Sequence, residues 1–196
     1  MLKRKAVAGA LLSIISCSSI AENSQLSYTN ISFGYATSEI ANEDFSGFGV
    51  SGSLAIDDAF NFIGSYTSFS SDDSFDAGLG SDDIDASELY LGFGYHTPVN
   101  RSVDFVTSLS FVKAELDYLV VEESGNGYAI GAGLRGKPTD KLEFGAAIGY
   151  VDIESEDDVS FSLSARVFTQ QNASLGLGYV SSDDVDSVSF NLRFDL

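Results

Sequence analysis

Cysteine, histidine and basic side chains are scarce in this chain of 196 residues, and each shortage closes a line of chemistry. The one cysteine is Cys17 and the one histidine is His96. A lone cysteine forms no disulfide within the chain and supplies no zinc-ligand spacing. Ten Lys and Arg stand against 29 Asp and Glu, a formal net charge of −19. Nucleic-acid binding rests on basic groups neutralising phosphates, so nucleic acid is excluded as a partner. No phosphate-binding loop is present, and nothing in the sequence predicts a cofactor. Helical periodicity is absent after the first twenty residues. Strongly acidic chains can be disordered, but 19 Gly, 9 Tyr and 15 Phe are too many for that here.

What is present begins with a basic start, Lys3, Arg4 and Lys5, followed by an apolar run from Ala6 to Ile15. Ser19-Ile20-Ala21 then offers a small-x-small cleavage site. This layout predicts a secretory signal peptide over 1–21, too short to span a membrane as a helix. Cys17 gives a second reading, a bacterial lipoprotein site, but residue 14 at its −3 position is Ile and the Ala21 site is intact. Cleavage removes three of the ten basic residues and none of the 29 acidic ones, taking the charge from −19 to −22. It also removes the cysteine. The remaining residues, 22–196, form one domain.

Alternation with the period of a β-strand recurs ten times in that domain. Its apolar faces are Ile31-Phe33-Tyr35, Phe48-Val50 with Leu54-Ile56, Phe60-Phe62 with Tyr66, and Leu89-Leu91-Phe93-Tyr95. They continue with Val103-Phe105 and Leu109-Phe111, Tyr128 to Leu134, Leu142 to Tyr150, Val159 to Val167, Leu175 to Tyr179, and Val188 to Leu196. The opposite faces are mostly Gly, Ser and Asn. Segments 57–59, 97–102, 136–141 and 170–173 read as short turns. Segments 38–45, 70–85, 115–126, 152–158 and 181–186 read as longer acidic loops, and 21 of the 29 acids lie in them.

A small soluble barrel keeps its large apolar residues inside. Turned inward, these faces would crowd the core and leave Ser and Gly outside. Turned outward, they meet lipid, and small residues line the lumen. In lipid the backbone is satisfied only if the sheet closes. The last strand must then pair with the first, which explains why SVSFNLRFDL keeps alternating to the final residue. The expected fold is all-β: a transmembrane antiparallel up-and-down barrel of ten strands. Arginine at Leu109, on the lipid face, is expected to be damaging, and arginine at Ser110, on the lumen face, to be tolerated.

The stretches FGVSGSLA and LYLGFGYHTP, the Gly-Tyr strand ends and the alternating C-terminus resemble the small outer-membrane β-barrel proteins of Gram-negative bacteria. The group is that of the OmpA transmembrane domain and OmpX, whose best-known members have eight strands, the alternative count. The resemblance covers the whole mature chain. It implies a bacterial outer-membrane location, contact with membrane lipid and lipopolysaccharide, and a monomer. It also implies that the barrel-assembly machinery reads Phe190, Leu192, Phe194 and Leu196; the usual terminal Phe or Trp is here Leu196.

Three constellations follow from the expected register. Asp104, Arg135, Glu143, Arg166, Arg193 and Asp195 point into the lumen at the periplasmic mouth, as a salt-bridged plug or a channel constriction. Arg135 and Glu143 are the expected direct partners. Asp72, Asp73, Asp82, Asp83, Asp85, Glu154, Glu156, Asp157, Asp158, Asp183, Asp184 and Asp186 offer hard oxygen ligands for weak divalent binding, without an EF-hand pattern. No metal site is assigned. Barrel proteases and lipid A hydrolases, which the resemblance brings into view, use a histidine at the outer side. His96 is expected on a periplasmic turn, far from the acidic loops, where Ser-His-Asp contact cannot be built. The expected function is a non-enzymatic envelope or surface barrel. A narrow cation-preferring channel is the alternative, and a barrel hydrolase the third reading.

Overall fold

The computed structural model describes residues 26–40, 43–71, 75, 76, 81, 82, 84–118, 121–154, 156–183 and 185–196. The expected signal, 1–21 with Cys17, lies outside them. Twelve strands follow in order: β1 Asn30–Ile40, β2 Glu43–Ala55, β3 Phe60–Ser71, β4 Phe75–Asp76, β5 Ser81–Asp82, β6 Asp85–Asn100, β7 Val103–Tyr118, β8 Val121–Thr139, β9 Leu142–Ile153, β10 Glu156–Phe168, β11 Ala173–Ser181 and β12 Val185–Asp195. Ten of them close a barrel in the order β1-β12-β11-β10-β9-β8-β7-β6-β3-β2, and β4 and β5 form a separate two-stranded pair between β3 and β6. Every barrel pairing is antiparallel.

The seam joins the two ends of the chain. β1 pairs with β12 from Asn30↔Asp195 to Ile40↔Val185. The Leu196 amide adds one more bond, donating to the Thr29 carbonyl at 2.9 Å. Closure of this kind removes both sheet edges.

The lower part of the wall carries its large apolar residues outward. Phe48 is 72% exposed and Leu109 58%, whereas the inward Ser32 and Ser51 are buried. Neighbouring strands bring outward rings together: Tyr35 with Phe48 at 5.1 Å, Phe60 with Tyr95 at 5.2 Å and Phe62 with Phe93 at 5.8 Å. Each such pair adds about 0.5–1.5 kcal/mol and helps to hold the register. On the inside, Gly92 lies against Ser110, whose Oγ would be 2.5 Å from any added Cβ.

The strands run higher than the sequence suggests. Crossing a membrane takes about 9–11 tilted residues, but β7 has 16 and β8 has 19. Segments 38–45, 115–126 and 152–158, expected as loops, are mostly ladder, and the described parts of 181–186 belong largely to β11 and β12. Segment 70–85 holds β4 and β5. The short turn expected at 97–102 also shrinks to residues 101 and 102, because β6 runs on to Asn100.

The cause is a change of phase. Above the lipid-facing band the apolar residues move to the inner face and the charges to the outer one. On β7, Val112 and Ala114 are buried while Glu115 and Asp117 are exposed. On β6, Ala86 is buried and Asp85 exposed; on β12, Val185 is buried and Asp186 exposed. Two inner clusters result. One gathers Ala36, Phe45, Phe69, Ile84, Ala86 and Val185, and the other Tyr90, Val112, Ala114, Ala129, Val151, Ile153 and Val180. The upper barrel therefore has the inside-out pattern of a soluble barrel, with an apolar core and an acidic wall.

Candidate functional site: the periplasmic mouth and the acidic wall

At the lower end, six charged side chains from five strands meet inside the lumen. Glu143, near the start of β9, is the hub. Its Oε1 accepts from Arg135 Nε of β8 at 2.8 Å and from Arg193 Nη1 of β12 at 3.4 Å. Arg166 Nε of β10 stands 4.0 Å from the same oxygen. Arg193 Nε also donates to Asp195 Oδ1 at 2.6 Å. Arg166 Nη1 reaches Ser174 Oγ at 3.3 Å. Asp104 of β7 lies opposite Arg135 in the ladder but takes its hydrogen bond from elsewhere. The alternation puts these groups on one face, because all six share the inward phase of their strands.

The sequence reading did not include the partner of Asp104. Residues Leu26 to Thr29, which precede β1 and join no strand, enter the mouth. The Tyr28 hydroxyl donates to Asp104 Oδ2 at 2.6 Å. Its ring stacks on His96 at 4.6 Å and lies 4.7 Å from the Arg135 guanidinium carbon. The Ser27 carbonyl accepts from Arg135 Nη1 at 3.1 Å and Arg193 Nη2 at 3.0 Å. Ser53 Oγ of β2 donates to the Tyr28 carbonyl at 3.0 Å. Leu26 and Tyr28 pack on Val106. Both residues have the parity of inward Asn30 and Ser32, so the signal was there.

His96 is not on a turn. It lies within β6, facing inward and 1% exposed. The reason is the alternation itself: Leu91, Phe93 and Tyr95 face out, so His96 faces in. Neither ring nitrogen has a hydrogen-bond partner among the described residues.

Above the charge cluster is a polar cavity of about 120 Å³, bounded by Arg135, Glu143, Arg166, Arg193 and Asn191 and by Ser160, Ser162 and Ser164. It has room for several waters. Higher still, Glu88 of β6 points inward between Ala86 of one apolar cluster and Tyr90 of the other. It is 2% exposed, and the Tyr90 hydroxyl is the polar group beside its carboxylate. The strand reading put Glu88 on the inner face, opposite Leu89, but did not single it out.

The acids expected as cation ligands do not form one group among the described residues. Asp72, Asp73, Asp83 and Asp184 lie outside the described residues. Asp82 is in β5, Asp85 in β6, Glu156, Asp157 and Asp158 in β10, and Asp186 in β12, so these are strand rather than loop positions. Glu154 occupies the β9–β10 turn with φ 59°, and Asp183 follows β11. Like charges face each other across the ladder at Glu39↔Asp44, Glu39↔Asp186, Asp85↔Asp117 and Asp152↔Asp157, an arrangement that is unfavourable unless the charge is relieved. Hydroxyl groups relieve part of it. Tyr179 donates to Asp186 at 2.7 Å and Ser70 to Asp85 at 2.6 Å. The Tyr179 and Ser181 hydroxyls hold the Asp186 carboxyl, above the membrane, below the usual carboxylate range. Among the described residues, no group of three or more His, Cys, Asp or Glu is arranged to hold a metal ion.

At the seam, Phe190, Leu192 and Leu196 face outward on or beside β12, and Phe194 is half-buried in the same phase. A closed barrel with an apolar outer band below an acidic wall defines an outer-membrane β-barrel protein. The family described as "Outer membrane protein beta-barrel domain" matches residues 7–180, and the chain belongs to it. Its place is the bacterial outer membrane.

Among solved structures, the β domain of the Bordetella autotransporter BrkA is 9% identical over 86% of this chain and 99% of its own, with a TM-score of 0.50. OprG of Pseudomonas aeruginosa is 13% identical over 91% and 99%, with a TM-score of 0.47. Ail of Yersinia pestis, solved with the heparin analogue sucrose octasulfate, is 19% identical over 85% and 97%, with a TM-score of 0.45. These likenesses concern the fold. No curated protein matches the chain.

Proposed function

We propose that this protein is a sealed, non-enzymatic surface barrel whose working part is the acidic outer wall above the membrane. The observation that carries the reading is the filling of the lumen. From the periplasm upward there is the Leu26–Thr29 segment, then the Glu143 cluster, then two apolar clusters spanning the upper interior. The 120 Å³ cavity lies between these layers, its lining running from Glu143 and Arg166 up to Val180 of the upper cluster. This weighs against the narrow channel.

The hydrolase reading loses its base. His96 is enclosed against Tyr28 at the lower end, away from the acidic wall. The wall itself, with Glu39, Asp85, Asp117 and Asp186 exposed, suits cation-mediated contact with the phosphates of lipopolysaccharide. Assembly through the outward C-terminal residues and a monomeric state complete the reading.

Vesicles carrying the protein test both halves. They should stay impermeable to small sugars in an isosmotic swelling assay, and swelling would refute the sealed barrel. Magnesium-dependent retention of lipopolysaccharide should fall when Glu39, Asp85, Asp117 and Asp186 are changed together to Gln and Asn. Unchanged retention would remove the wall from the account.

A further inference from the structure

We propose that Leu26–Tyr28 is a lid under the chamber, so that the chamber exchanges with the periplasm alone and only when this segment leaves. The geometry points to a lid rather than a piece of wall. Leu26, Ser27 and Tyr28 belong to no strand; β1 begins at Asn30, and Thr29 stays with the wall through its carbonyl on the Leu196 amide. Release of Leu26–Tyr28 therefore breaks no ladder pairing. The contacts that hold them include the Tyr28 hydroxyl on Asp104, the ring against His96 and Arg135, the Ser53 hydroxyl on the Tyr28 carbonyl, and the Ser27 carbonyl between Arg135 and Arg193.

Three residues that hold the segment also bound the chamber. Arg135, Arg193 and Val106 line the cavity on one side and touch Ser27, Tyr28 or Leu26 on the other. Lifting the segment therefore takes the Ser27 carbonyl and the Tyr28 ring off Arg135 and Arg193 and frees these two residues of the cavity floor to move. The chamber has its own reason to take up polar solute: the buried Glu143 Oε2 and the Asn191 Oδ1 have no partner among the described residues.

The test uses the absence of cysteine after Cys17. The full chain carrying Cys17→Ser and Ala147→Cys is expressed to the outer membrane of a Gram-negative host. Ala147 lines the chamber. In membrane fragments, the rate of labelling by a small, charged methanethiosulfonate is compared with the same chain carrying Tyr28→Ala or Tyr28→Phe. Folding is followed by the heat-modifiable gel shift. The lid predicts labelling faster by about tenfold or more with Tyr28→Ala, the scale of a weakened local closing equilibrium. Tyr28→Phe, which keeps the ring contacts and loses only the hydroxyl, should be intermediate.

Equal rates in all three folded proteins would overturn the lid. So would a Tyr28→Ala chain that no longer closes into a barrel while Tyr28→Phe labels like the parent, since a lid is dispensable to the wall.

Discussion

Glu143 has the most crowded electrostatic surroundings in the molecule. Three guanidiniums converge on one of its oxygens within 4.0 Å. Breaking a buried ion pair by removing one partner leaves uncompensated charge, at a cost of about 3–5 kcal/mol. Glu143→Gln is therefore expected to lower barrel stability by about that amount, measured by urea unfolding in lipid vesicles. An unchanged midpoint would mean that the three arginines are held by other groups. The individual roles of these six residues were partly visible in the chain. Arg135 and Glu143 flank one turn on the same phase, and their contact is 2.8 Å. The parity of Tyr28 marked an inward side chain, but its engagement of Asp104 was not visible, because it depends on where a segment without sheet pairing folds back.

At the scale of the strand, the central feature is the phase switch at the upper edge of the membrane. On β7, Leu109 and Phe111 face lipid, but two residues further on the outward position belongs to Lys113 and then Glu115. Alternation was legible along each strand where the apolar face was outward. Where the faces exchanged roles, the acids dominated and the segments read as loops, although Phe45, Phe69, Val112 and Ile153 were marking an inner face. A period reports that a strand exists; it does not report which side is wet.

Two substitutions separate the two regimes. Leu109→Arg places a charge against lipid and should cost about 2–4 kcal/mol. Phe69→Ala removes a ring that is 1% exposed in the upper core, and should cost about 3–5 kcal/mol by the lost burial and the cavity left behind. Both are read as a lowered midpoint in equilibrium unfolding. A negligible effect of Phe69→Ala would mean that the upper interior is hydrated. Ser110→Arg, by contrast with the tolerance expected from the sequence, should also be damaging. Ser110 is 3% exposed and backed closely by Gly92, so an arginine there over-packs the lumen.

For the whole molecule, closure was the part most open to reading. A strand that alternates to the last residue needs a partner, and β1 provides it over eleven residues. The strand count of ten followed from the same alternation. The contents of the lumen were less accessible, since they depend on side chains from opposite walls meeting across a space whose width the sequence does not state. On the proposed function, the barrel so layered is a scaffold that holds an acidic wall above the membrane, and its centre admits no solute.

Single-channel recording of the refolded protein in a planar bilayer tests that claim most directly, with the heat-modifiable gel shift confirming a folded barrel. The account predicts a silent membrane across the accessible voltage range. Discrete, cation-selective steps from folded protein would contradict it.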